Sequence, residues 1–344
     1  MRRLFLAANF LSEVSGSKSV MEDLADQLRA RGWKLVCASS FRAGIFRALH
    51  MLSAAVCFRS SYNLAMVDVF SGRAFLWAEA LSYLLVLLRR PFILALHGGA
   101  LPEFASRHPA RVKNCLKKAN TAVVPSAYLL DQMKLYRQDL FLIPNAIDLP
   151  AYDFKLRENP KRSLVWLRAF HEIYNPSLAV EVLALLLKDF PDIHLTMIGP
   201  DKGDGSLARA WKLAGQLDVA GRIHFSGPVS KKNVPRRLSE ADIFLNTANI
   251  DNTPVSVLEA MASGLCVVST NVGGIPYLLE HEKDSLLVPP NHPEAMAAAV
   301  RKILNDPSLA ARLSSSARKK AEQFDWSKVL AQWEALIMKT AGVP

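Results

Sequence analysis

What this 344-residue chain has little of narrows its class first. Cysteine is scarce, and Cys37, Cys57, Cys115 and Cys266 stand far apart with no CxxC pair. A disulfide framework and a structural zinc site are therefore not expected, and a reducing compartment fits. Long apolar runs are missing: the longest, Phe75 to Leu88, contains Glu79 and stops at Arg89-Arg90, too short to cross a bilayer as a helix. Met1-Arg2-Arg3 followed by Leu4-Phe5-Leu6-Ala7-Ala8 imitates a signal peptide, but Asn9, Ser12 and Glu13 interrupt it, and a first β-strand is the better reading. No GxGxxG fingerprint, Asp-x-Asp triplet or solenoid-type repeat occurs. Acids are sparse in the first half: residues 1–150 carry 19 Lys and Arg against 10 Asp and Glu, whereas residues 151–344 carry 23 against 21. The excess suits anionic substrates or an anionic membrane surface. Basic and aromatic residues do not interleave in the manner of RNA-binding chains, so nucleic acid is not an expected partner.

What is present is a packed globular composition, 51% hydrophobic and 21% charged, which excludes disorder. Short apolar strands alternate with amphipathic helices twice over, the grammar of parallel α/β sheets. Strands are read at Leu4–Ala8, Lys34–Ala38, Leu64–Asp68, Phe92–Leu96, Thr121–Val124 and Leu140–Ile143, then at Leu164–Leu167, His194–Ile198, Ile223–Phe225, Ile243–Asn246, Leu265–Val268 and Ser285–Val288. Polar, proline-containing residues 149–162 read as a linker. The division expected is residues 1–150, residues 151–325 and a terminal helix over 326–344. In residues 42–59, Ile45, Phe46, Leu49, Leu52 and Val56 share one helical side, and core packing is the default expectation over membrane contact. Arg107, Arg111, Lys113, Lys117 and Lys118 form a cationic run without an acid, a solvated face or a contact for an anionic surface.

One stretch stands out, Asp251-Asn252-Thr253-Pro254-Val255-Ser256-Val257-Leu258-Glu259-Ala260-Met261-Ala262-Ser263-Gly264. Thr253 is the expected N-cap, Pro254 the first helical residue and Gly264 the stop. A helix start attracts phosphate, and Glu259, nearly two turns along, could hold ribose hydroxyls. An ordinary capped helix with a surface glutamate is the bland alternative. His97, at the carboxyl end of Phe92–Leu96 and before Gly98-Gly99, sits where ligands enter such folds; a structural turn histidine is its alternative.

Several motifs together carry a family resemblance: Ile143-Pro144-Asn145-Ala146-Ile147-Asp148, Asn252–Gly264, Val272-Gly273-Gly274-Ile275-Pro276, Leu286-Leu287-Val288-Pro289 and Phe324-Asp325-Trp326. The chain resembles the retaining, nucleotide-sugar-dependent glycosyltransferases of the GT-B fold, glycogen synthase-like branch (family 4). The resemblance implies two Rossmann-like, doubly wound parallel-sheet domains facing across a cleft, with the terminal helix crossing back to the first. It implies that Glu259 holds the donor ribose and that the Val255 and Ser256 N–H groups, with Asn252 and Thr253 leading into them, meet the donor phosphate. Arg168 would neutralise the diphosphate, Gly16 would form the turn beside it, and His97 would lie near the reacting sugar. Asp251 stands where the family usually has a glutamate that contacts the transferred sugar. The family's usual lysine after the arginine is missing here, its place held by Ile173-Tyr174-Asn175, and Lys202 and Lys231 are candidate replacements.

The reaction so implied is transfer from a nucleoside-diphosphate sugar to a glycan, lipid-linked or small-molecule acceptor, with retention. Neither metal nor cofactor is expected, and the place expected is the cytoplasm or the inner face of the membrane. Competing readings are a catalytically weakened relative that binds nucleotide sugar or glycan, and an epimerase or phosphorylase on the same fold.

Overall fold

The computed structural model describes residues 2–11, 18–41 and 43–342. Gly16 lies outside the described residues. Two compact units divide the chain, one made of Met1–Ala146 with Trp326–Pro344, the other of Ile147–Asp325.

In the first unit the order is β1 (Arg3–Ala7), α1 (Val20–Ala30), β2 (Lys34–Ala38), α2 (Gly44–Cys57), β3 (Leu64–Val69), α3 (Phe75–Leu87), β4 (Phe92–Leu96), α4 (Leu101–Arg107), α5 (Pro109–Lys118), β5 (Thr121–Val124), α6 (Ala127–Met133) and β6 (Leu140–Leu142). All six strands are parallel, in the order β2-β1-β3-β4-β5-β6. They are near-continuous apolar runs, as a sheet covered on both faces requires. Helices α2, α3 and α5 cover one face, placing Met51, Phe75, Leu81 and Val112 over Phe5, Val67 and Leu94. The other face is covered by α1, where Met21, Leu24 and Leu28 meet Trp326, Trp333 and Ile337 of the terminal helix. Ser19 starts α1 with a capping box: its hydroxyl accepts from the Glu22 N–H while the Glu22 carboxylate accepts from the Ser19 N–H.

The second unit runs β7 (Ser163–Leu167), α7 (Pro176–Leu186), β8 (His194–Ile198), α8 (Ser206–Gln216), β9 (Ile223–Gly227), α9 (Val234–Ser239), β10 (Ile243–Asn246), α10 (Val255–Ala262), β11 (Cys266–Thr270), α11 (Ile275–Leu278), β12 (Leu286–Val288), α12 (Pro293–Asn305) and α13 (Pro307–Ala321). Its parallel sheet has the order β12-β11-β10-β7-β8-β9. The chain winds one way from β7 through β9 and the other way from β10 through β12. The switch point therefore lies between β7 and β10, where such sheets hold ligands. After Asp325 the chain forms α14 (Trp326–Thr340), whose Glu334 accepts from the Trp33 indole at 2.9 Å in the first unit.

Three expectations need correction. The residues read as a linker are built into the second unit: Tyr152 and Arg157 are buried there. Arg157 can be buried because Asp242 accepts from its Nε at 3.0 Å and the Ser263 and Ala241 carbonyls accept from its terminal nitrogens. The sequence after Gly274 predicts a helix running to about Glu282, but the helix there is one turn long, because Leu279 is extended (φ −111°, ψ 143°). Finally, of the apolar side of α2 only Leu52 packs against the core. Its buried residues are Ala48, Met51, Ala54 and Ala55, whereas Ile45, Phe46, Leu49 and Val56 are exposed. Small alanines let the helix approach the sheet closely, and the bulkier side chains are left outside.

Candidate active site

The switch point of the second unit gathers most of the polar residues singled out from the sequence. Arg168 follows β7 directly, and Asp251 follows β10 after a four-residue loop (Thr247 to Asn249 being its tied part). That loop is fixed to the one after β7. Asn249 N–H donates to the Ile173 carbonyl at 2.7 Å, and the Thr247 hydroxyl donates to the Tyr174 carbonyl at 2.7 Å while accepting from the Trp166 indole at 2.8 Å. Two close backbone approaches set the position of the charged pair. Gly199, at φ 151°, lies where a Cβ would fall 1.7 Å from the Arg168 carbonyl oxygen; at Gly273, φ 52°, a Cβ would fall 2.2 Å from that of Asp251. Only glycine permits either packing.

Arg168 and Asp251 form an ion pair through the second oxygen of the carboxylate, whose first oxygen accepts from the Asn252 N–H at 2.9 Å. The Arg168 guanidinium also stands 4.2 Å from the centre of the Tyr174 ring, a cation–π contact. Burial opposes the charge on Arg168, but Asp251 outweighs it, with Tyr174 and Glu259 adding, so the pKa stands above the ordinary arginine value. Glu259 points inward from α10 and is buried. The Tyr152 hydroxyl and the Lys231 ammonium both donate to its Oε1, at 2.8 and 2.6 Å. Lys231 is thus the candidate cation that the fold brings to this site; Lys202 is exposed in the loop after β8, its N–H donating to the Phe170 carbonyl.

The helix start is shifted by one residue. Pro254, not Thr253, is the N-cap of α10: its ψ of 120° is extended, and its carbonyl accepts from the Val257 and Leu258 N–H groups. Val255 and Ser256 are then the first two helical residues, whose N–H groups precede the intrahelical ladder, a position that attracts anions in general. Asn252 and Thr253 are buried just before them. Among the described residues, the buried polar atoms here without a partner include Arg168 Nε and Ser256 Oγ, together with Asn246 Oδ1 at the end of β10 and Asn249 Oδ1 in the loop after it. Buried polar atoms are rarely left unsatisfied, and the first two lie at the charged cluster.

His97 belongs to the first unit. It follows β4, its N–H donates to the Val69 carbonyl, its Nε2 is 3.0 Å from Asp68 Oδ1, and its ring stacks on Phe70 at 5.4 Å. Asp68, which sequence reading missed as a partner, lies in β3 opposite Ala95 of β4. An aspartate near the end of an otherwise apolar strand, beside a strand ending in histidine, was the available signal. Tyr152 and Tyr174 were missed as well, the first because it sat in the supposed linker. No group of three or more potential metal ligands occurs among the described residues.

Two Rossmann-like parallel-sheet units in tandem, the second with paired charges and a helix start at its switch point, are the architecture of the GT-B fold class. Comparison with known proteins gives the same class. Solved structures with this fold include sucrose-phosphate synthase from Thermosynechococcus elongatus, with a TM-score of 0.81 at 18% identity over 98% of this chain and 99% of that one. Another is the Anabaena protein HepE in complex with UDP-glucose, with a TM-score of 0.77 at 17% identity over 98% and 99%. Residues 151–320 match the family model "Glycosyl transferases group 1". The chain therefore has the GT-B fold, and its second unit is similar to the glycosyl transferases group 1 family over residues 151–320.

Relatives by sequence include the D-inositol 3-phosphate glycosyltransferase of Jonesia denitrificans, 22% identical over 67% of this chain and 64% of that protein. The phosphatidyl-myo-inositol mannosyltransferase of Mycolicibacterium smegmatis is 30% identical over 58% and 52%. The matches span from about a third to just under two thirds of these curated relatives' length (34% for the Streptomyces avermitilis D-inositol 3-phosphate glycosyltransferase).

Proposed function

We propose that the protein transfers a sugar from a nucleoside-diphosphate sugar to a carbohydrate, lipid-linked or small-molecule acceptor, with retention of configuration and without a catalytic metal. One observation carries the reading: Arg168 Nε and Ser256 Oγ, buried and unpartnered, lie at the charged cluster of Arg168, Asp251, Glu259 and Lys231. In this reading the Val255 and Ser256 N–H groups and Arg168 meet the diphosphate. Charge grows on that leaving group as the glycosidic bond breaks, and fixed donors aimed at it stabilise the transition state. Lys231 supplies the second cation, so a metal is not required for neutralisation. Glu259 holds the ribose hydroxyls, with Tyr152 fixing its Oε1. The resemblance assigns His97, oriented by Asp68, a role toward the transferred sugar and Gly16 one toward the donor phosphate, and Asn252 and Thr253 shape the donor pocket.

The test is calorimetric titration of UDP, GDP and ADP into the protein and its Glu259→Ala variant. One nucleoside diphosphate should bind and the variant should lose that affinity; unchanged binding would remove Glu259 and this donor site.

A second reading follows from the Arg168–Asp251 pair. An arginine already neutralised by an acid stabilises a developing anion less, which suits a relative that binds nucleotide sugar without turnover. Release of free nucleoside diphosphate from a donor panel separates the two readings, and turnover insensitive to a metal chelator supports the metal-free step.

A further inference from the structure

We propose that the outer surface of α2 and α3 in the first unit docks on an anionic lipid bilayer. The two helices pack side by side on one face of the sheet, and α5 packs next to α3. Their buried sides share one core cluster, so their opposite sides form a single outward layer. On α2 this layer presents Ile45, Phe46 and Leu49, each more than half exposed; on α3 it presents Leu76, Tyr83 and Leu87, the last 80% exposed. The spacings, four residues from Ile45 to Leu49 and seven then four from Leu76 through Tyr83 to Leu87, put each set on one helical side. Side chains of this size outside the core form a patch that water does not favour.

Charge selects the occupant. Residues 41–120 contain eleven Lys and Arg against three Asp and Glu. Each of the three acids is engaged: Asp68 with His97, Glu79 with Arg111, and Glu103 with Arg107. Among the described residues, Arg59, Arg73, Arg89, Lys113 and Lys117 are exposed and form no ion pair. They stand just beyond the ends of α2 and α3 or on α5, around the apolar layer. Lys118 lies 4.0 Å from the centre of the Tyr83 ring, a tyrosine with an apolar body and a polar tip at the boundary. An apolar stripe bordered by free cations is the arrangement of a helix lying in the plane of a negatively charged interface. At 14 residues α2 is about 21 Å long; no helix among the described residues is long and apolar enough to cross a membrane, so the contact is with one leaflet. Only the naming of a lipid-linked acceptor rests on the transferase reading. The surface itself stands without it.

The test is co-sedimentation of the protein with vesicles of phosphatidylcholine alone and of phosphatidylcholine with phosphatidylglycerol. The protein should sediment with the mixed vesicles and weakly with the neutral ones. Raising the salt from about 0.1 M to about 1 M, which shortens the screening length from ~10 to ~3 Å, should release most of it. Leu87→Glu and the double variant Phe46→Glu/Leu49→Glu should each lower partitioning roughly ten-fold or more, and Arg59→Glu/Arg89→Glu should lower it on mixed vesicles only. Leu87 is exposed enough for its variant to keep the wild-type melting curve and nucleotide affinity, which controls for misfolding. Vesicle binding that persists when no nucleoside diphosphate binds would overturn the donor reading alone. Equal sedimentation with neutral and mixed vesicles, or of wild type and Leu87→Glu, would overturn the membrane surface. So would a concentration-dependent dimer abolished by Leu87→Glu, since a second copy would then cover the layer.

Discussion

The two units share one architecture and spend their polar residues differently. Each is a six-stranded parallel sheet between helical layers. In the second unit, acids and bases are nearly balanced and are drawn inward to the carboxyl ends of β7 and β10, where Arg168, Asp251, Glu259 and Lys231 pair with one another. In the first, cations greatly outnumber acids, and the outward side of α2 and α3 carries bulky apolar groups instead. Two doubly wound parallel sheets, with different strand orders, thus carry an inward polar site in one case and an outward apolar surface in the other. The choice rests on which helical positions carry alanine, which allows close packing, and which strand ends carry charge.

The largest way to break this comparison is at Arg168. Arg168→Ala should lower turnover by roughly 10²–10³-fold, the range for removing one fixed donor from a developing oxyanion. Near-normal turnover in a donor-hydrolysis or transfer assay would take Arg168 out of the mechanism. Next comes Glu259→Ala, which removes a charged acceptor and should weaken nucleotide binding about 10–100-fold, while leaving vesicle partitioning at the wild-type value. Loss of both together would mean that the two units do not act separately. Tyr152→Phe probes the same oxygen more gently. One hydrogen bond is worth about 0.5–1.5 kcal/mol, so affinity should fall by no more than roughly ten-fold, and an effect equal to that of Glu259→Ala would assign Tyr152 a direct ligand contact.

The smallest effect concerns a loop of the second unit. Asp204 accepts from the Glu172 N–H at 2.8 Å and from the Ser206 N–H at 3.0 Å. The Glu172 bond leads in holding its pKa down to about 2 from 3.8. A carboxylate whose folded pKa is lowered stabilises the fold above pH 3.8, and that contribution disappears as the pH falls from 3.8 towards 2. Asp204→Asn should therefore melt below wild type at neutral pH and with it near pH 2. Parallel curves over the whole range would show that the bonds to Asp204 carry no stability.

Both sheets could be read in advance because buried parallel strands are runs of apolar residues, and runs survive without any knowledge of neighbours. Some helix caps are equally local: Asn175, directly before Pro176, accepts from the Leu178 N–H. Thr253 failed as a cap because Pro254 took the extended conformation itself. The amphipathic pattern of α2 was visible, but not which side would be buried. Three alanines and a methionine against the sheet look less hydrophobic than Ile45, Phe46 and Leu49, yet they pack more closely.

The sequence by itself determined the number and kind of elements, the acid on α10, the arginine after β7 and the uneven placement of charge, since each depends on residue type and short-range spacing. Only the tertiary structure decided how these meet. Arg168 and Asp251 are 83 positions apart and Lys231 and Glu259 are 28; they pair because parallel strand order puts β7 beside β10 and because Gly199 and Gly273 let the backbones touch. Tyr152 and Asp68 found their partners in the same way. Long-range pairing of this kind is set by sheet order and close packing, neither of which is written in any single stretch of the chain.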